Sequence, residues 1–91
     1  MNREGIRLLI QERGVVRLLM TIGHKECYTR ELLEMIGEWQ YGHKLLLKAQ
    51  DLGLIERRRV KPDGKGNWRI YNRLTKKGMQ LIRLAEQLGI R

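Results

Sequence analysis

At 91 residues the chain has room for one modest hydrophobic core and is short for an enzyme with a deep pocket, which makes catalysis the least favoured class. Nineteen lysines and arginines face 10 acidic residues, a formal charge of +9 that selects polyanions as partners, with DNA and RNA ahead of an anionic membrane. No apolar run reaches membrane-spanning length, Met1-Asn2-Arg3-Glu4-Gly5 lacks the layout of a secretory signal, and the lone Cys27 excludes an intramolecular disulfide, so a cytoplasmic, nucleoid-associated protein is expected.

The first helical segment, Arg3 to Ile22, carries two apolar stripes: Leu8, Val15, Leu18, Leu19 and Ile22 on one side, and Ile6, Leu9, Ile10, Val16 and Met20 on roughly the other. A helix apolar on two sides must bury both. One stripe suits the domain's own core and the other a second copy of the chain, an arrangement favoured over a break at Gly14 that would turn both stripes inward. Gly23 ends the helix, and Glu26-Cys27-Tyr28 gives a short extended stretch. Thr29 is then expected to N-cap a helix running to Ile36, with Leu32, Leu33 and Ile36 on its buried face.

Gly37 makes a turn, and Trp39 is expected to staple the start of the next helix, Gln40 to Leu52. On a helical wheel Gly42, Leu45, Leu46, Ala49 and Leu52 point inward. The opposite face shows Gln40, Tyr41, His43, Lys44, Leu47 and Lys48, groups able to donate to bases or neutralise phosphates in a major groove. Leu47, apolar amid that face, suits a thymine methyl group or a protein interface.

Gly53 supplies a left-handed helix end, and a hairpin follows: strand Ile55 to Val60, a polar loop containing Pro62-Asp63-Gly64-Lys65-Gly66-Asn67, and strand Trp68 to Leu74. Alternation puts Trp68, Ile70, Asn72 and Leu74 on one side and Arg69, Tyr71 and Arg73 on the other. Arg57, Arg58, Arg59, Lys61, Lys65, Arg69 and Arg73 crowd this ribbon, more cations than edge protection requires, which favours phosphate contact. Thr75 caps the last helix, whose apolar band of Gly78, Leu81, Ile82, Leu84, Ala85 and Leu88 is broader than a small core needs. Surplus apolar surface at both ends suggests a homodimer through Ile6, Leu9, Ile10, Met20, Leu84 and Leu88.

No metal or cofactor is expected. His24 and Cys27 have a spacing a metal could use but no second pair, His43 falls on another helix, and neither a phosphate-binding glycine loop nor a nucleophile with its base is present. Cys27 reads as a small, partly buried residue at a strand entry rather than a redox centre.

The helix Thr29 to Ile36, the junction Leu52-Gly53-Leu54-Ile55, the turn Asp63-Gly64 and the element Leu74-Thr75-Lys76-Lys77-Gly78 together resemble the winged helix-turn-helix transcription regulators of the MarR and PadR kind, especially small archaeal and viral forms. The likeness covers about Cys27 to Leu84. It implies an α+β, mostly α, single domain: an N-terminal helix over 1–22, a helix-turn-helix over 29–52, a two-stranded wing over 55–74 and a C-terminal helix over 75–89. It further implies a homodimer on double-stranded DNA, with Gln40, Tyr41, His43, Lys44 and Lys48 near bases and phosphates and Lys65, Asn67 and Arg69 at or near the wing tip. Asp63-Gly64-Lys65 stands where MarR proteins carry Asp-x-Arg, the terminal helices are short, and no small-molecule effector is expected. The function expected is sequence-preferring transcriptional regulation. The alternatives are an architectural protein that coats DNA, and a winged helix used for protein contact in a transcription or replication complex.

Overall fold

The computed structural model describes residues 3–61 and 66–90, and over these the chain forms five helices and a three-stranded antiparallel sheet. In chain order they are α1 (Arg3–Gln11), α2 (Arg13–Ile22), β1 (Cys27–Tyr28), α3 (Thr29–Ile36), α4 (Trp39–Asp51), β2 (Ile55–Val60), β3 (Arg69–Leu74) and α5 (Lys76–Gln87). The expected turn residues Asp63 and Gly64, together with Lys65, lie outside the described residues.

Two helices replace the single N-terminal helix expected from Arg3 to Ile22, and the break falls at Glu12 rather than Gly14. Glu12 leaves helical geometry at φ −120°, ψ 51°, although its N–H still bonds to Leu8 O (2.8 Å) and its carbonyl accepts from Val16 N (3.0 Å). The bend brings parts of both stripes into one core: Leu9 and Val16 of one are buried with Val15, Leu18, Leu19 and Ile22 of the other. Gly14 instead lies within α2 in close packing, where a Cβ would fall 2.6 Å from Tyr41 Oη and 3.1 Å from Leu45 Cδ2. Leu9, at 1% exposure, is therefore withdrawn from the expected dimer surface, whereas Ile10 is 69% exposed and Leu88 is also exposed. Ile6, Met20 and Leu84 are half-buried.

The sheet runs β1-β3-β2, one strand more than the expected two-stranded hairpin. The extended stretch after Gly23 pairs with the free edge of β3 through Cys27↔Asn72 and Tyr28↔Tyr71, satisfying backbone groups that the hairpin alone leaves open. On the other edge β2 pairs with β3 from Ile55↔Leu74 to Val60↔Arg69. The inward side carries Ile55, Asn72 and Leu74, all buried, as the alternation predicts.

Between α4, β2 and α5 lies the tightest joint. Gly53, at φ +72°, takes the left-handed turn that ends α4, and Leu54 N reaches back to Ala49 O (2.9 Å). Thr75 Oγ1 accepts from Gly78 N (3.1 Å) as N-cap of α5 and donates to Gly53 O (2.6 Å), while Thr75 N bonds to Leu54 O (3.0 Å). Lys77 Nζ donates to Leu52 O (3.0 Å) and to Glu4 Oε1 (2.8 Å); that lysine's hydrogen bond and charge hold the Glu4 carboxyl below its ordinary pKa. Gly78 is the residue that lets α5 press on this turn, since a Cβ there would collide with the carbonyl of Leu54. Gly42 allows a similar approach of α4 to α3, but its neighbour is the mobile end of Leu33, at 2.7 Å. Gly78→Ala is therefore expected to cost at least about 2 kcal/mol and Gly42→Ala clearly less, since Leu33 can turn aside and backbone cannot. Denaturant midpoints measure both, and equal losses would contradict the assigned contacts.

Candidate nucleic-acid interface

Helix α4 is aimed by α3 and the turn between them. Leu32 and Leu33 of α3 are buried in the same core as Leu46 and Ala49 of α4. Gly37 turns the chain at φ 82°, Glu38 is extended, and Gly42 N bonds to Glu38 O (2.8 Å). The helix begins one residue earlier than expected, so Trp39 is its first residue and is exposed instead of stapling the start. The wheel then fixes what faces outward. Gln40, Lys44, Leu47 and Asp51 follow one exposed row, with His43 and Gln50 beside it. Tyr41 and Lys48, also exposed, lie on the flank toward the N-terminal helices: the Tyr41 hydroxyl stands over Gly14, and Lys48 Nζ is 2.7 Å from Glu12 Oε1. Asp51 and Gln50 escaped the sequence reading, and the Asp51 carboxylate confines the positive part of the row to the N-terminal turns.

The exposed cations of the hairpin divide, among the described residues, into two groups. Arg58 grips Glu26 with both arms of its fork, Nε to Oε1 at 3.1 Å and Nη2 to Oε2 at 3.0 Å, and Arg73 holds Glu56 at 3.0 Å. Both pairs are exposed and worth little, so a phosphate can displace either carboxylate at small cost. Arg59, Lys61 and Arg69 make no ion pair among the described residues. They lie over aromatic rings instead: Arg59 5.1 Å and Lys61 5.9 Å from the Trp68 ring centre, and Arg69 5.3 Å from that of Tyr28, which itself contacts Tyr71 at 5.7 Å. Asn67 is exposed nearby.

Arg57 departs from its expected role on the phosphate-facing surface. It is half-buried, burial pulls its pKa below the ordinary value, and Nε donates to Asn72 Oδ1 at 2.9 Å. Asn72 has 0% exposure, and its Nδ2 donates to Cys27 O (3.2 Å) and Thr29 Oγ1 (2.8 Å). Thr29 Oγ1 in turn donates to Ile70 O (2.9 Å) and lies 3.5 Å from Arg57 Nη2. Thr29 is thus not the N-cap expected of it: Tyr28 holds that position without a side-chain bond, and the Thr29 hydroxyl links α3 to the sheet. No buried side-chain nitrogen or oxygen among the described residues is left without a partner. The sequence did carry a signal for this node, because Asn72 interrupts an otherwise apolar alternation on the inward side of β3.

Cys27 completes the neighbourhood as a structural residue. Its Sγ lies 3.8 Å from Ile22 O, and burial pushes the thiol pKa up, which keeps it protonated and poorly nucleophilic. Among the described residues no group of three or more histidines, cysteines and carboxylates is arranged to hold a metal, and no helix is long and apolar enough to cross a membrane. No protein-family model matches the sequence, and no curated protein matches it either.

The Asn72 node supports a direct expectation. Asn72→Ala leaves the half-buried Arg57 guanidinium and the Cys27 carbonyl without their partner and should cost about 2–4 kcal/mol in denaturant unfolding. A loss below about 0.5 kcal/mol would mean that the node does not hold the hairpin.

Proposed function

We propose that this protein is a winged helix-turn-helix regulator that binds double-stranded DNA with sequence preference, as a homodimer. In this reading α3 and α4 are the helix-turn-helix, α4 enters the major groove, and the β2–β3 hairpin is the wing on the flanking backbone or minor groove. The observation that carries it is the trio Arg59, Lys61 and Arg69: cations on one ribbon with no carboxylate partner among the described residues, in a chain of net charge +9. The exposed row of α4 adds donors and acceptors suited to base edges, Gln40, His43 and Lys44, with Leu47 placed to meet a thymine methyl group. Tyr41 and Lys48 sit at its margin, where a backbone phosphate would compete with Glu12 for the lysine.

Dimerisation rests on Ile10 and Leu88, which stay exposed after the bend at Glu12 has buried Leu9, with Ile6, Met20 and Leu84 half-buried. The reading places the protein with the nucleoid in the cytoplasm and assigns it no cofactor.

The two halves of the interface should respond differently to substitution. Arg59→Ala, Lys61→Ala and Arg69→Ala should each weaken binding to every DNA and lower the slope of log affinity against log salt by about one. Gln40→Ala and Lys44→Ala should instead lose about 1–3 kcal/mol on a preferred sequence and much less on random DNA. Unchanged slopes would remove the hairpin from the interface. Equal affinity of the parent protein for all sequences would favour a coating protein, and absence of DNA binding would favour a protein-contact module, for which exposed Met35, Trp39 and Leu47 are the available surface.

A further inference from the structure

Trp68 is the side chain of the hairpin that neither the core nor ordinary backbone binding explains. It is 54% exposed and lies immediately before β3, so that continuing the β2–β3 register sets it across from Lys61 and diagonal to Arg59. Both cations hang over its ring, at 5.1 and 5.9 Å from the centre, without a carboxylate partner among the described residues. A contact to phosphate alone needs the cations and not the indole. An exposed aromatic ring flanked by unpaired positive charges is instead the combination that binds unpaired nucleotides, with the ring stacking on a base and the cations neutralising the adjoining phosphates.

We propose that Trp68, with Arg59 and Lys61, is a stacking site for an unpaired nucleobase, so that the protein prefers DNA containing an unpaired nucleotide to fully paired duplex. The inference rests on the DNA-binding reading above and adds a ligand class to it. Paired DNA hides the faces of its bases within the stack, so this ring gains a partner only where a base is already free or a step is opened, and opening a step costs energy that an existing bulge avoids. Because every base has a π-face, the preference is for unpaired structure and not for one base. Arg69, over Tyr28 on the opposite side of the ribbon, stays available to the backbone of the flanking duplex.

The test uses the full chain carrying Trp39→Phe, which leaves Trp68 as the sole indole. It is titrated with a paired duplex, the same duplex with a short bulge of unpaired thymines, and free single strand, with anisotropy of the DNA and fluorescence of Trp68 read together. The bulged duplex should bind about 5- to 100-fold tighter than the paired one and quench Trp68. Adding Trp68→Ala should erase the difference while paired-duplex binding persists, and Trp68→Phe should restore part of it; thermal melts confirm that each variant is folded. Equal binding of paired and bulged duplex with Trp68 unquenched would overturn the stacking site and leave the DNA-binding reading standing. Failure to bind any of the three DNAs would overturn both. Quenching and tight binding by single strand alone would support the stacking site and overturn the duplex regulator.

Discussion

A single buried amide orients the surface on which the functional reading depends. Asn72 joins β3 to the carbonyl of Cys27 in β1, to the hydroxyl of Thr29 at the start of α3 and to the guanidinium of Arg57 in β2. Three strands and one helix therefore share one node, and the hairpin leaves the domain at an angle set relative to the α3–α4 pair. Arginine stays charged at any physiological pH, so the half-buried Arg57 makes this node costly unless every partner is in place. An apolar residue at position 72 would pack, yet it would leave the guanidinium and the hydroxyl without that partner and the hairpin without a fixed direction.

The second constraint is the joint at Gly53, Leu54, Thr75 and Gly78, which fixes α5 against the end of α4 by backbone geometry instead of side-chain bulk. With the base of the β2–β3 ribbon held in this way, excess charge can gather on it without unfolding the domain. Ion pairs engage Glu4, Glu12, Glu26, Glu34 and Glu56, but the basic residues outnumber the acidic ones 19 to 10. Neutralisation of that surplus must come from outside the chain, and its density along the hairpin is what makes a polyanion the expected source.

Features encoded by local geometry were legible in the sequence. Gly53 and Thr75 read directly as a helix stop and a helix cap, β2 spans the expected Ile55 to Val60, and the inward face of α4 is the one its apolar spacing predicts. Features decided by tertiary contact were not. The break at Glu12 lets residues of both stripes share one core, and nothing in the residue itself announces it, while Gly14, the obvious candidate, lies in close packing with Tyr41 and Leu45. The extended stretch at Cys27 and Tyr28 was expected, but at two residues it is too short for periodicity to reveal its pairing with the edge of β3. The same limit governs the site: a run of arginines cannot disclose that Arg57 turns inward to Asn72 and Arg58 outward to Glu26, because strand alternation assigns a face but not a partner. Residues chosen from helix spacing on α4 are exposed as expected, yet contacts from the bent N-terminal helices divide them into an open row and an engaged flank.

The most direct trial of this reading is selection of bound sequences from a pool of random duplexes at moderate salt, with the mass of the protein in solution recorded on the same preparation. A dimeric regulator with α4 in the major groove requires a dyad-symmetric motif whose half-sites lie about one helical turn apart. A pool that stays flat while binding remains tight and salt-sensitive, or a protein that stays monomeric on DNA, would contradict it.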